Sequence, residues 1–589
     1  MAEVESNPFH QQAIQWQFKP FETEKGLGRV VAYGDRSTKC PTYQTRVPPC
    51  TDSCPAGEDI RGYNNVLHGI WKGESGDPWI DAFYRLTRTN PFPAVMGRVC
   101  PAPCQGGCNR QYRDESIGIN AIEHAIGQYA IEHNLQFKKT APASGLKMAV
   151  VGSGPGGLSC AYQLALQGHA VTLFERDPRL GGMMRYGIMG YRVDRDVMDK
   201  EIERILNLGI EVRVNTKIGV DISLDELRAQ YAAVFLAVGA QKGRSLPIPG
   251  ADGPMCTNAI DFLREFEMKG GPEAASKMNI GRHVVVIGDG DVAMDVARLS
   301  LRLGSKATLL SGVAREEMNC SPNEYAEAVH EGTDVRFQVG TVAVIRDGNG
   351  HITGLECVKM VRKDKGEEGW NHAIPFFRYK AQEGTNFVIE TDMVVASIGQ
   401  TTDMAGMEQT TGNTPFFQVD HNYQIKGMPG VFGGGDAVKI TLLTTAIGHG
   451  RKAAEAMNLY AQGKPLPQKA DKPDIARYEK LKWDFFVEKP QPKRRLQHPA
   501  VVNNNWQEIL QVLQQSEVLT EAERCMSCGL CFECRQCEKF CPQKAIVSFK
   551  DSPEGQFVFT HYETCVGCHI CAEVCPTGYI DMGMGREGH

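Results

Sequence analysis

Residues Lys147–Asp177 read KMAVVGSGPGGLSCAYQLALQGHAVTLFERD. Residues 147–151 form a short apolar run of the kind a buried strand needs. Gly152, Gly154 and Gly157 follow as G-x-G-x-x-G, then an amphipathic helical stretch, a second apolar run (VTLF) and Glu175. This order predicts a strand, a glycine turn, a helix and a second strand. The glycines permit the tight turn and the close approach of backbone to a diphosphate, which the helix N-terminus favours. An acid at the tip of the second strand can accept hydrogen bonds from ribose hydroxyls, so Glu175 is the expected ribose contact.

The pattern recurs. From His283 the chain reads HVVVIGDGDVAMDVARLSLRLGSKATLLSG, with Gly288, Gly290 and Ala293 as G-x-G-x-x-A. The second strand here ends at Ser311, so neither an acid for a ribose nor an arginine for a 2′-phosphate stands at its tip. The nearest arginine is Arg315, beside Glu316 and Glu317. Two such units call for two dinucleotides. Farther on, VFGGGDA (Val431–Ala437) precedes the helical stretch TLLTTAIGHGRKAAEAM. A Gly-Asp turn there can meet a flavin's ribityl and phosphate groups through Gly435 and Asp436. The helix start near Thr444 can face the electron-rich edge of a reduced flavin. The expectation is an FAD domain interrupted by an NAD domain.

The 20 cysteines are clustered: six lie between residues 40 and 108, ten between 525 and 575, and four (Cys160, Cys256, Cys320, Cys357) are scattered. Clusters at short spacing point to metal rather than disulfides. Cys531, Cys534, Cys537, Cys541 and Pro542 complete C-x2-C-x2-C-x3-C-P, and Cys565, Cys568, Cys571, Cys575 and Pro576 repeat it. In two-cluster ferredoxins the fourth cysteine of each run ligates the other cluster. One 4Fe-4S cluster is therefore expected on Cys531, Cys534, Cys537 and Cys575, and another on Cys565, Cys568, Cys571 and Cys541. Zinc also takes four thiolates, but the doubled eight-cysteine spacing favours clusters.

At 589 residues the chain needs several cores, and its composition, 42% hydrophobic and 23% charged with net charge −6, is globular. No apolar run reaches the length of a membrane span. The one compact basic run, Lys493-Arg494-Arg495, lies in a proline-rich stretch and reads as solvated linker, not as a nucleic-acid patch. The first residues, MAEVESNPFHQQ, lack the features of a signal peptide. A cytoplasmic protein without nucleic-acid or membrane partners is expected.

The stretches LGGMMRYGIMGYRVDRDV, GDGDVAMDVAR, VVASIGQTTD and GVFGGGDAV resemble the small subunit of glutamate synthase and its relatives, among them the N-terminal half of dihydropyrimidine dehydrogenase. The resemblance runs over about residues 35–465. It implies FAD in the first site, with Gly182 among its contacts, and a nicotinamide in the second. The family's Tyr-Arg-Arg stretch, linked to NADP, is Ser311-Gly312-Val313 here, so NAD is expected over NADP. The resemblance also implies two N-terminal 4Fe-4S clusters. One would take Cys54, Cys100, Cys104 and Glu123, although Glu123 also reads as an ordinary helix-surface glutamate. The other would take Cys50 and Cys108 with two further cysteines. The family supplies those from an EAxRCxxCG stretch just before Cys50, where this chain has only Cys40. EAERCMSCG stands instead at Glu521–Gly529. Either Cys525 and Cys528 complete the site from the far end of the chain, giving four clusters, or Cys40 and a non-cysteine ligand do.

The expected class is multidomain α/β: a helical iron–sulfur domain (1–142), an FAD domain in two parts (143–275 and 393–465) around an NAD(P) domain (276–392), a linker (466–515) and an α+β bacterial-type ferredoxin domain (516–589). Fusion of this core to a ferredoxin resembles the electron-transfer subunits of 2-oxoacid oxidoreductases. The implied partners are thiamine-diphosphate-dependent oxidoreductase subunits or a ferredoxin-like subunit. Electrons would pass from C-terminal to N-terminal clusters, to FAD and to NAD, and no catalytic side chain is expected. The alternatives are a free-standing NAD(P)H:ferredoxin oxidoreductase, a glutamate synthase small subunit, or a non-enzymatic scaffold.

Overall fold

A computed structural model describes residues 37–412, 414–498, 506–549 and 552–584. The stretch MAEVESNPFHQQ and the rest of the first 36 residues of the expected N-terminal domain lie outside the described residues. The chain divides into two compact units, one of 1–135, 468–494 and 512–589, the other of 136–467 and 495–511.

The larger unit contains one design twice. Its first sheet runs Val431–Gly433, Ala233–Leu236, Lys147–Val151, Ala170–Phe174 and Glu211–Arg213, all parallel. The second runs Asp334–Arg336, Lys306–Leu310, His283–Ile287, Met393–Ala396 and Cys256–Asn258, also parallel. Parallel sheets are covered on both faces and so use continuous apolar strands; Val284, Val285 and Val286 are all buried. The central strand of each sheet turns into a helix, Pro155–Leu166 in the first and Asp291–Arg302 in the second. Gly152 (φ +95°) and Gly288 (φ +126°) make these turns. A Cβ on them would stand 2.3 Å from the Ala237 carbonyl oxygen and 2.2 Å from that of Ser397. Only glycine fits both the conformation and the approach.

The domain boundaries differ from the expectation. Cys256–Asn258 and Met393–Ala396 both belong to the second sheet, so the inserted domain begins before 256 and ends after 396. The crossing is a short antiparallel pair, Lys242–Gly243 with Gln400–Thr401. Local pattern marks a strand but does not say which sheet it joins, and the short, half-buried CTN segment carries little strand signal. The inserted domain also holds antiparallel strands Val339–Arg346, Ile352–Arg362, Tyr379–Ala381 and Phe387–Glu390.

The smaller unit is helical in its N-terminal part, with Ile60–Leu67, Pro78–Thr87, Pro93–Val99 and Ile119–Glu132. Its C-terminal part pairs Ile546–Ser548 with Val558–Thr560. The last strand, Ile580–Gly583, pairs antiparallel with Cys40–Tyr43, Cys40 facing Gly583. One strand of the ferredoxin-like part thus comes from the other end of the chain.

The expected linker is not a free tether. Leu481, Phe485 and Phe486 are buried with Met526 and Cys534, while Trp506 stacks on Phe266 in the larger unit at 5.2 Å. The basic run is not simply solvated either: Arg494 donates to the Gly97 carbonyl (2.6 Å) and to Asn120 Oδ1 (2.6 Å). Proline and lysine in this stretch masked its apolar anchors.

Candidate functional site

In the larger unit a cleft of about 910 Å³, open to solvent, lies over the C-terminal ends of the first sheet. Gly152, Gly154, Glu175, Gly182, Gly435 and Asp436 line it. Gly157 and Thr444 do not. Gly157 packs instead against the Gly152 carbonyl, and Thr444 is buried while its helix neighbours Leu443 and Ala446 face the cleft. No atom lies within 4 Å of where a Cβ on Gly154 would stand, which leaves a cradle at the start of the helix. That cradle, with an acid beyond it, fits a dinucleotide diphosphate and ribose.

Glu175 follows the strand Ala170–Phe174 and closes back on the glycine turn. Its Oε2 accepts from the Ser153 amide (2.8 Å) and hydroxyl, and its Oε1 accepts from the Asp177 amide (2.9 Å). Lys217, ion-paired with Asp403 at 2.8 Å, also lines the cleft. Lys217 did not stand out in the sequence, because it lies in a loop without a motif; Asp403 closes the VVASIGQTTD stretch, which by itself assigns it no contact. Burial pushes the Asp436 carboxyl up to about 6. Burial holds His449 down at about 4, and its Nδ1 accepts the Gly435 amide at 3.2 Å; that ring nitrogen is therefore unprotonated.

In the second glycine turn Gly290 stands at the head of the helix Asp291–Arg302, again with nothing within 4 Å of a Cβ position. Ala293 is fully buried against the sheet. The tip of the neighbouring strand is Ser311, whose hydroxyl donates to Asp289 Oδ2 at 2.7 Å.

In the smaller unit Cys50, Cys108, Cys525 and Cys528 line one cavity. The EAERCMSCG stretch is locked in place by its own charges. Arg524, 1% exposed, pairs with Asp114 (2.9 Å) and Glu521 (2.6 Å), and Glu521 accepts the Gly118 amide (2.6 Å). Burial first, then the neighbouring Cys108, Cys525 and Cys528, push the Cys50 thiol up. Burial also pushes Cys525 up to about 11 and Cys528 up to about 12. Arg61 lines the same cavity; its Nη1 donates to the Cys528 carbonyl (2.7 Å), and its buried Nε has no partner among the described residues. Four thiols around a space with a guanidinium at its wall fit an anionic, thiolate-bound cluster. Among the described residues no three His, Cys, Asp or Glu side chains converge as on a single ion.

Cys40 is elsewhere. It sits in the strand paired with Ile580–Gly583 and adjoins Cys565. The placement offers no support for a site completed by Cys40 beside Cys50 and Cys108.

Cys54, Cys100 and Cys104 gather with Glu123: burial pushes all three thiols up, and Glu123 adds to each. A second buried acid, Glu58, joins them. The Asn90 amide donates to Glu58 Oε1 (3.0 Å) and to Glu123 Oε1 (2.7 Å), and burial pushes the Glu58 carboxyl up to about 7. Glu58 was not singled out from sequence, where its only signal is an acid four residues after Cys54.

The remaining cysteines fall in two groups. Cys531, Cys534 and Cys537 adjoin Cys575. Cys541, Cys565, Cys568 and Cys571 line another cavity.

Comparison with known proteins fits this layout. The family model for pyridine nucleotide-disulphide oxidoreductases matches residues 146–450, more than half of the chain. This chain belongs to that family. The other two parts of this oxidoreductase match the model for dihydropyrimidine dehydrogenase domain II, 4Fe-4S cluster (residues 19–135), and the 4Fe-4S dicluster domain (residues 530–579). The chain is 33% identical over 529 residues to the NADPH-Fe(3+) oxidoreductase subunit beta of Geobacter sulfurreducens, covering 82% of this chain and 75% of that one. It is 30% identical to the NADP(+)-dependent formate dehydrogenase subunit beta of Moorella thermoacetica (85% and 74%). It is 33% identical to the glutamate synthase [NADPH] small chain of Bacillus subtilis (70% and 86%). Among the described residues no helix is long and apolar enough to cross a membrane.

Proposed function

We propose that this oxidoreductase is the electron-transfer subunit of a cytoplasmic complex, passing electrons through four 4Fe-4S clusters and FAD to NAD. One observation carries the reading: the two ends of the chain bring Cys50, Cys108, Cys525 and Cys528 to one cavity. A ferredoxin-like part that shares a thiol site with the helical domain is built to conduct electrons between them, not merely to sit beside them. A flavin, when bound, exchanges both hydride and single electrons. The chain's own part is to hold the groups. Gly152 and Gly154 admit the diphosphate, Glu175 accepts from the ribose, and Gly435 and Asp436 face the flavin end. The cysteine sets are Cys54, Cys100 and Cys104 with Glu123, Cys50 and Cys108 with Cys525 and Cys528, and the two crossed ferredoxin sets.

The partner we propose is a thiamine-diphosphate-dependent 2-oxoacid oxidoreductase, with phenylglyoxylate as the candidate oxoacid, because the relocated cysteine pair and the fused ferredoxin suit such a subunit. The second reading, an NADPH-linked subunit serving another active site, draws on the printed names of the relatives, which specify NADPH or NADP. The test is anaerobic addition of NADH, and separately NADPH, to the purified chain. NADH is expected to bleach both flavin and iron–sulfur absorbance. Bleaching by NADPH alone supports the second reading, and clusters that neither nucleotide reduces sink both.

A further inference from the structure

The two glycine turns differ in one reciprocal exchange. In the first, Ser153 stands between Gly152 and Gly154, and the acid Glu175 stands at the tip of the next strand. The hydroxyl of Ser153 donates to the Glu175 carboxylate. In the second, the acid is inside the turn and the serine is at the strand tip: Asp289 stands between Gly288 and Gly290, and Ser311 follows Lys306–Leu310. The hydroxyl of Ser311 donates to Asp289 Oδ2 at 2.7 Å. The two sites therefore hold the same carboxylate–hydroxyl pair between the same two elements, with the residue types swapped. Asn319 Nδ2 donates to the other carboxylate oxygen, Oδ1, at 3.0 Å, and so fixes its orientation.

We propose that Asp289 is the ribose-binding acid of the nicotinamide site and its selector against the 2′-phosphate of NADP. A carboxylate oxygen has more than one lone pair, so Asp289 retains acceptor capacity for a ribose hydroxyl after its bonds to Ser311 and Asn319. The same charge opposes a phosphate at that hydroxyl. Arg315, the arginine nearest in sequence after the strand tip, lies over the Tyr325 ring at 4.9 Å. This assignment rests on the NAD reading above and supplies the acid that the strand tip lacks.

The test measures binding to the intact, FAD-loaded chain: dissociation constants for NADH and NADPH, and for AMP and 2′,5′-ADP as fragments that differ only in the 2′-phosphate. The wild type is expected to bind NADH and AMP at least about tenfold more tightly than their phosphorylated counterparts. Asp289→Gly is expected to erase most of that ratio, with FAD content and thermal midpoint kept. The swap Asp289→Ser/Ser311→Glu, which copies the first site, is expected to restore it. A wild type that prefers NADPH overturns the NAD reading and this assignment together. A wild type that prefers NADH, with the ratio unchanged in Asp289→Gly, leaves the NAD reading standing and overturns the assignment alone.

Discussion

At the scale of single residues, the sites rest on what small side chains leave open and what buried polar atoms find. Gly154 leaves open space at the head of a helix, where a valine would project into the path of the diphosphate. Gly154→Val is expected to purify with less than a tenth of the wild-type FAD while keeping its iron, read as flavin absorbance and iron per chain, since about 3 kcal/mol of lost binding is more than a hundredfold in affinity. Full FAD in that variant would remove the diphosphate from the cleft. The glycine spacing and Glu175 were legible because turn chemistry is local. Glu58 was not, because its partner Asn90, whose amide bridges it to Glu123, stands 32 positions away. Thr444 was legible only as part of a helix start. Which of the first-turn residues faces the cleft depends on how the helix Leu443–Ala461 is rotated, and that is set by packing against Pro155–Leu166, where Ser159 donates to the Ile447 carbonyl at 2.9 Å.

At the scale of elements, the Gly-Asp turn is held by the helix behind it. The Gly435 amide donates to His449 Nδ1, an arrangement that protonation breaks. The folded value of His449, about 4, lies below its ordinary 6.5, so the unfolded chain binds more protons between these values. His449 thus contributes stability that is complete above pH 6.5, is lost as pH falls toward 4, and changes no further below that. The shift corresponds to about 3 kcal/mol. Asp436, raised to about 6, works the other way: the cost of its burial is relieved as pH falls through 6. In thermal melts across pH 7 to 4, His449→Gln is expected to lose less stability than the wild type. A variant whose decline matches the wild type would show that this histidine does not hold the turn. Strands of both sheets were legible as apolar runs, yet their partners were not. MVVA at 393–396 reads as a strand from its composition, and only pairing with His283–Ile287 places it in the second sheet.

At the scale of the molecule, the far ends of the sequence make one unit. Cys40–Tyr43 supplies a strand to the C-terminal part, with Tyr43 stacked on Tyr579 at 5.4 Å and bonded through its hydroxyl to Thr560 at 2.6 Å. Arg524 and Glu521 bind the 114–118 segment and set Cys525 and Cys528 beside Cys50 and Cys108. The extra cysteine pair was legible as ligand-like from its spacing alone. Its partners were legible only through the resemblance, because contact across more than four hundred residues leaves no trace in local pattern. The domain order was likewise readable from motifs, whereas the anchoring of the 468–494 stretch through Leu481, Phe485 and Phe486 was hidden in a segment rich in lysine and proline.

A cluster shared by the two ends of the chain makes part of the iron depend on Cys525 and Cys528. Iron, acid-labile sulfide and flavin per chain are measured on anaerobically purified wild type and on Cys525→Ala/Cys528→Ala. About 16 iron atoms are expected in the wild type and about 12 in the variant, with FAD unchanged. About 12 iron atoms in both would contradict it.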